Sequence, residues 1–444
     1  MMGEHTEFLE QVEKDNVKFM NLQFTDIFGV IKNVTIPVEY LEDALKYGKW
    51  FDGSSIEGFA RIHESDMLLM PDVSTYAVIP WLEHKDGNTA RIICDVYTVD
   101  GKPFVGDPRY ILKRALKEAE DMGYAYNTGP ELEFFLFKRE NGNFKPLPHD
   151  KGSYFDLNMD LAYEIRRDMI VALQKFGIHV EASHHEVAIG QHEIGFQYGG
   201  ALRTADNATT LRFVLKSIAE KHGLYATFMP KPISGVNGSG MHVHQSLFSG
   251  ENNAFFDPSE KYHLSKVAKS FIAGQLKHIK AISAITSPLI NSYKRLTPGY
   301  EAPVYICWAT TNRSALIRVP AFQKEKPKAA RVELRCPDPS CNIYLAFATM
   351  LKAGLDGIKN NLTPPDSVEE DLYEFDDKKL ESYNIEQLPV SLWYALKELK
   401  KDPVIQEALG EYMYKKYVEA KTREWDDFRL CVTEWEIERY AEIY

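Results

Sequence analysis

The chain has 444 residues, 64 acidic against 52 basic side chains, a formal net charge of −12 and 44% hydrophobic residues. That length suffices for more than one domain and the composition is that of a globular protein, while the acidity argues against nucleic acid as a main partner. No apolar run approaches the ~18 residues of a membrane span, and the first residues are polar and acidic, so neither a span nor a signal peptide is expected.

Cys94, Cys307, Cys336, Cys341 and Cys431 are odd in number and lack metal-type pairing, which reads as reduced thiols in a cytoplasmic protein. A short helix is predicted over 5–15. Met20, Leu22 and Phe24 then alternate with polar residues as a half-buried strand, and after a turn at 26–29 the segment 30–37 returns as a second strand. A short helix over 38–47 leads to a stretch over 50–59 whose glycines and serines read as a loop carrying an acid, Asp52. Strands at about 76–82 and 90–97 complete a small mixed domain, with the boundary near Gly106 dividing the chain into 1–105 and 106–444.

Asp107-Pro108 starts the next helix, Asp as N-cap and Pro in the first helical position, and the stripe Leu112, Ala115, Leu116, Ala119 and Met122 runs to a stop at Gly123. Helices are predicted at about 158–175, 206–222, 264–285 and 339–358, strands at 178–183 and 225–229, and a mostly helical last fifty residues. No internal repeat is present.

Gly129-Pro130 reads as a turn opening a strand through Phe137. Side chains alternate along a strand, so Glu131 and Glu133 share a face. At ~4 Å and an effective dielectric of ~20 their repulsion is roughly 4 kcal/mol, which calls for a compensating cation. The same spacing recurs in His242, His244 and Ser246, and in Arg331, Glu333 and Arg335; the segment 183–193 adds Glu186 and Glu193. One polar face is ordinarily the wet side of a sheet. Three apolar-backed strands aiming ionisable groups off one face read instead as the floor of a metal and phosphate site. The glycine-rich loop from Lys231 to Gly240 can turn backbone N–H groups toward an anion. Arg295, Arg313, Arg318 and Arg335 suit carboxylate or phosphate, although arginines near acids are commonly plain surface ion pairs.

Gly-Pro-Glu-x-Glu-Phe-Phe at 129–135, Phe-Asp-Gly-Ser-Ser at 51–55, Ser-His-His-Glu-Val-Ala at 183–188, Asn-Gly-Ser-Gly-Met-His at 237–242 and Asn-Ser-Tyr-Lys-Arg-Leu-x-Pro-Gly-Tyr-Glu-Ala-Pro at 291–303 resemble class I glutamine synthetase. The match runs from about residue 15 to the carboxy-terminus, and the length resembles the shorter, Bacillus- and archaeal-type branch. The resemblance implies an α+β fold: a small β-grasp-like domain, then a catalytic domain with a curved antiparallel sheet flanked by helices. It implies ATP-dependent joining of ammonia to the γ-carboxylate of L-glutamate through γ-glutamyl phosphate.

Carried over by motif, Glu133, Glu186 and Glu193 would hold one divalent metal, and Glu131, His242 and Glu333 a second; these donors suit Mg²⁺ or Mn²⁺. Glu181, His244 and Ser246 match nucleotide contacts, and Asn237, Gly238, Arg295, Glu301 and Arg335 match the glutamate site. Arg313 and Arg318 match groups that neutralise the transferred phosphoryl. Asp52 matches an acid supplied by a neighbouring subunit to bind ammonium and take its proton, and Glu301 lies in a loop that could close over the intermediate. Arg61 matches a residue linked to feedback inhibition by glutamine. The resemblance also implies a dodecamer of two hexameric rings and allows nitrogen-regulatory protein partners. Tyr373 is expected to be an unmodified surface tyrosine. The segment 321–330 is longer and more basic than the family usually has, Ile189 and Ile343 replace typical prolines, and Gly195 replaces a usual polar residue. Two rival readings are a γ-glutamyl–polyamine ligase and a catalytically silent regulatory protein; Asp52, Glu301 and the full ligand set weigh against both.

Overall fold

The structure, a computed structural model, describes residues 4–54, 56, 58, 66–138 and 148–444. Arg61 lies outside the described residues. The first sheet comprises β1 (Val17–Thr25), β2 (Ile31–Pro37), β3 (Lys49–Asp52), β4 (Asp66–Val78) and β5 (Asn88–Thr98), in the order β2-β1-β5-β4-β3, with β1 and β5 parallel. Met20, Leu22 and Phe24 point into its core with Leu69, Ile92 and Val96, as their alternation requires. Two helices, α1 (Glu4–Lys14) and α2 (Leu41–Tyr47), accompany it.

Two expectations fail in this region. Trp50 to Asp52 is no loop but the edge strand β3, paired with β4 from Lys49↔Leu69 to Asp52↔Asp66. The strand expected at 76–82 begins at Asp66 and stops at Val78, and Pro80–Leu82 forms a single 3₁₀ turn, since a proline cannot extend the ladder.

The second sheet has ten strands: β6 (Ala125–Lys138), β7 (Val180–His185), β8 (Gln191–Phe196), β9 (Gly199–Gly200), β10 (Leu224–Thr227), β11 (Met241–Ser249), β12 (Asn252–Asn253), β13 (Tyr305–Ala309), β14 (Ala315–Arg318) and β15 (Val332–Leu334). Its main path runs β13-β14-β15-β11-β6-β8-β7, antiparallel except for β13 with β14. This curved, near-barrel sheet has helices on one side: α3 (Pro108–Asp121), α4 (Tyr163–Lys175), α5 (Ala201–Lys221), α6 (Lys266–Thr286) and, after the short α7 (Ser292–Arg295), α8 (Ile343–Lys359). Helix α3 starts as its sequence demands, the Asp107 carboxylate accepting from the Arg109 N–H. By contrast α4 starts later than expected, at Tyr163; α5 starts earlier, at Ala201; and α8 starts at Ile343, capped by Asn342. Helices α6 and α8 approach closely at Gly274, where an added Cβ would lie 2.1 Å from the Ala353 carbonyl oxygen.

On β6 the alternation divides the labour. Leu132, Phe134 and Leu136 enter the main core, whereas Phe135 and Phe137 form a small cluster with Ala188 on the opposite face. Gly129-Pro130 is not a turn: both residues lie inside β6, opposite His244 and Val243. The Glu133 N–H bonds the Gly240 carbonyl on the β11 side, whereas the Leu136 N–H bonds Gly190 on the other. Pro130, of Leu136's parity, therefore turns its nitrogen toward the second edge. There β9 pairs only residues 127–128 and β8 only residues 133–135, so Pro130 faces a gap where no N–H is required.

Candidate active site

The ladder registers deliver the ionisable side chains in adjoining pairs. Glu131 lies opposite His242, Glu133 opposite Glu193, and Glu333 opposite both His244 and Arg318. All of these but His244 form the floor of a cavity of about 350 Å³ lined also by Glu186, Asn237, Gly238, Arg295, Glu301, Arg313 and Arg335. A second cavity of about 400 Å³ is lined by Glu181, His244, Ser246, Arg331 and residues 328–330, and reaches Gly129 and Pro130 at the gap between β9 and β8. Glu131 and Glu193 border both cavities. The unusual 321–330 segment thus reaches the second cavity, held there by Asn253, whose amide donates to the Lys328 and Ala330 carbonyls at 3.1 and 2.7 Å.

Ligand atoms of Glu131, His242 and Glu333 all lie within 4.8 Å of one another, and so do those of His184, Glu186 and Glu193. The sequence reading put Glu133 in the second set and gave His184 no role; the His184 Nε2 lies 2.8 Å from Glu186 Oε1. Glu133 faces the same set from across the ladder. Its Oε2 accepts from the Gly240 N–H at 2.9 Å and the Gln191 amide at 2.7 Å. Gln191 owes its place to its far partner Glu133, a relation that no local pattern signals. Tyr154, without a sequence signal, and Tyr300, inside the 291–303 motif but given no role there, complete the wall.

Electrostatics divides the floor in two. Burial opposes ionisation of Glu131, but His242 and His244 hold it well below the usual carboxylate range. Burial likewise opposes the charge on Glu333, and His242, Arg335, His244 and Arg318 keep it ionised; Arg318 Nε and Arg335 Nη1 donate to its two oxygens at 2.6 and 2.7 Å. On the other half, burial and the neighbouring Glu186 push Glu133 up to about 8. Burial and the surrounding glutamates raise Glu193 as well. Arg295 and Arg335 act in the opposite sense on Glu133 without reversing its shift.

The glycine-rich loop is shaped by close approach. A Cβ on Gly238 would lie 2.2 Å from the Pro230 carbonyl oxygen, and one on Gly240 2.6 Å from Arg295 Nη2. Arg295 is buried and spends donors on the Cys336, Pro337 and Arg335 carbonyls at 2.8 to 3.1 Å, so it is fixed before any ligand arrives. Across the cavity mouth Glu301 adopts a left-handed backbone (φ 56°) and accepts from the Asn237 amide at 3.0 Å. Its loop is held by Lys231 Nζ over the Tyr300 ring at 3.7 Å and by the Tyr373 hydroxyl, which donates to Ala302 O at 2.9 Å. Tyr373 is accordingly half-buried rather than a plain surface residue. Asp52 is outside both cavities, exposed on edge strand β3 with its carboxylate accepting from the Ser54 N–H at 2.8 Å. Among the described residues no helix is long and apolar enough to cross a membrane.

Comparison with known proteins agrees with this geometry. Residues 105–440 match the family described as glutamine synthetase, catalytic domain, and residues 16–99 match glutamine synthetase, beta-Grasp domain. A protein of Thermotoga maritima named glutamine synthetase is 56% identical over 432 residues, covering 97% of each chain. One of Clostridium saccharobutylicum with the same name is 53% identical over 440 residues, covering 99% of this chain and 98% of its own. A solved structure titled "Apo GmaS without ligand" superposes with a TM-score of 0.87 at 30% identity, over 98% of this chain and 99% of its own.

Proposed function

The chain belongs to the glutamine synthetase family, and from that premise we propose how its residues divide the work. The reaction is the ATP-dependent ligation of ammonia to the γ-carboxylate of L-glutamate, giving L-glutamine, ADP and phosphate. The family uses a divalent metal. The observation that carries the residue assignment is the shared wall: Glu131 and Glu193 border both cavities, so a phosphoryl group leaving a nucleotide in one would pass them to reach a carboxylate in the other.

The donor set fits Mg²⁺ or Mn²⁺: oxygen-rich, one imidazole, no thiolate, and two carboxyls, Glu133 and Glu193, raised by burial and neighbouring glutamates in a way that a cation would relieve. Glu133, Glu186 and Glu193 would hold one ion, with His184 beside it, and Glu131, His242 and Glu333 the second. Bound there, the ions offset charge on the transferring phosphoryl group. Glu181, His244 and Ser246 line the nucleotide cavity. Asn237, Gly238, Arg295 and Arg335 orient glutamate, Arg295 through a guanidinium already fixed by backbone carbonyls. Arg313 and Arg318 neutralise the phosphoryl oxygens. Glu301, on its strained loop, closes the mouth and keeps water from the acyl phosphate.

Ammonium becomes a nucleophile only after losing a proton. We assign that task to Asp52 of a neighbouring subunit, because Asp52 is exposed on edge strand β3 and lines neither cavity of its own chain. The active unit is then an oligomer, a dodecamer of two hexameric rings, in the cytoplasm. Arg61 would carry feedback by glutamine, nitrogen-regulatory proteins would be further partners, and the domain boundary falls at Gly106. The polyamine-ligase and silent-protein readings are not favoured, given relatives named glutamine synthetase and an intact ligand set. Phosphate release from ATP with Mg²⁺ and L-glutamate should require ammonium. Release with putrescine alone, or with no amine dependence, would overturn the assignment.

A further inference from the structure

Behind the metal-facing surface of the β7–β8 hairpin lies a second cluster, Asp150, His185 and His192, all three side chains fully buried. Their ligand atoms lie within 4.8 Å of one another, which invites reading them as another metal site. Proton inventory argues otherwise. Arg166 Nη1 lies 3.0 Å from His192 Nδ1. A guanidinium only donates, so Nδ1 accepts and the His192 proton is on Nε2. That nitrogen cannot also ligate a cation; it points at Asp150 Oδ2, 3.9 Å away. His185 is doubly committed: Nδ1 lies 2.6 Å from the Glu186 carbonyl oxygen and Nε2 lies 2.9 Å from Asp150 Oδ1. Both partners are acceptors, so both nitrogens carry protons. His185 and Asp150 thus form a buried imidazolium–carboxylate pair that leaves no unprotonated nitrogen for an ion, while Asp150 Oδ2 and His192 Nε2 face each other beyond hydrogen-bond range.

Its geometry serves a different end. Asp150 Oδ1 also accepts from the Gly190 N–H at 3.0 Å. Gly190 in turn bonds β6, its carbonyl accepting from the Leu136 N–H at 2.8 Å. One buried oxygen thus ties down both arms of the turn, through His185 before it and Gly190 at its end. The turn carries Glu186 and leads directly into β8, whose first residue Gln191 holds Glu133 and whose third is Glu193. There is little room for the pair to relax, since a Cβ on Gly152 would meet His185 Nε2 at 2.8 Å.

We propose that Asp150 is a positioning residue for the Glu133–Glu186–Glu193 half of the site, fixing the hairpin so that three carboxylates converge before an ion arrives. This rests on the metal assignment above. Partners of this kind behind metal ligands typically contribute 10–100-fold in affinity.

The test is Mn²⁺ titration of the intact, metal-stripped oligomer by electron paramagnetic resonance, with steady-state kinetics at varied Mn²⁺. Asp150→Ala is expected to weaken one class of ion about 10–100-fold and leave the other unchanged. Its kcat should recover at saturating Mn²⁺ while the Mn²⁺ concentration for half-activity rises. Asp150→Asn, which keeps the acceptor for Gly190 but not the charge, should fall between. Unchanged titrations in folded Asp150→Ala would overturn the role, as would equal weakening of both ions. If Asp150→Ala does not fold, Asp150→Asn decides alone: normal ion binding there would make Asp150 purely structural. Glu133→Gln is the control. If it too leaves every ion in place, the metal assignment has failed rather than the positioning role.

Discussion

Two clusters of buried acid can be set side by side. At the junction between the sheets Arg109, 3% exposed, meets Asp72 from β4, Asp95 from β5 and Asp206 from α5 at 2.7, 2.7 and 2.9 Å. Lys113 adds a second cation to Asp95, and the Tyr344 hydroxyl donates to Asp206 at 2.8 Å. Every carboxylate there has a cation in reach. Glu133 and Glu193, on the cavity floor, have no cation in ion-pair range among the described residues, and both are raised. Asp72, despite burial, is lowered by Ser74 and Arg109. The Arg109 cluster is neutralised within the chain. Buried acids without an ion pair also occur away from the cavities, Asp107 pushed up to about 7 and Asp338 raised by burial, but these are single carboxyls held by backbone N–H and hydroxyl donors. Glu133 and Glu193 instead face each other across the ladder beside Glu186 in a cavity, an arrangement that a bound cation would relieve.

The largest expected effect separates the two clusters by stability. Arg109→Ala strands three carboxylates and should lower unfolding free energy by about 3–5 kcal/mol in urea titrations, without selectively weakening either metal ion. Glu333→Gln and Glu133→Gln should do the reverse. Each should lower turnover by about 10²–10³-fold, while Glu133→Gln leaves the metal-free protein at least as stable as the parent. A smaller effect reads the proton on Glu133. Its folded value of about 8 is above the ordinary 4.5. The metal-free protein therefore loses stability as pH rises from the lower value to the higher, and an added divalent ion restores most at the upper end. Thermal midpoints with and without Mn²⁺ should diverge with pH across that interval, and Glu133→Gln should flatten the divergence.

Much of the floor could be read from sequence because it obeys a period of two: the parity that buries Leu132 and Phe134 aims Glu131 and Glu133 the other way. The N-cap at Asp107 and the glycine stop at Gly123, at positive φ, were equally local and equally legible. What escaped depended on distant partners. Trp50–Asp52 looks like a loop until β4 lies beside it. Gly129-Pro130 looks like a turn until the gap between β9 and β8 removes the need for an N–H. Gln191 and Asp150 take their significance from Glu133 and His185, which only the fold brings within reach, whereas His184 sits two residues from Glu186 in a motif the sequence already showed.

The most direct experiment counts ions. Mn²⁺ titration of the metal-stripped oligomer, followed by electron paramagnetic resonance, should find two ions per subunit at the floor in the parent protein. Glu133→Gln should weaken one and Glu333→Gln the other, with the Arg109 cluster binding none. A parent protein that binds no ion there, or variants that both lose the same ion, would contradict the division of the floor into two metal-holding halves.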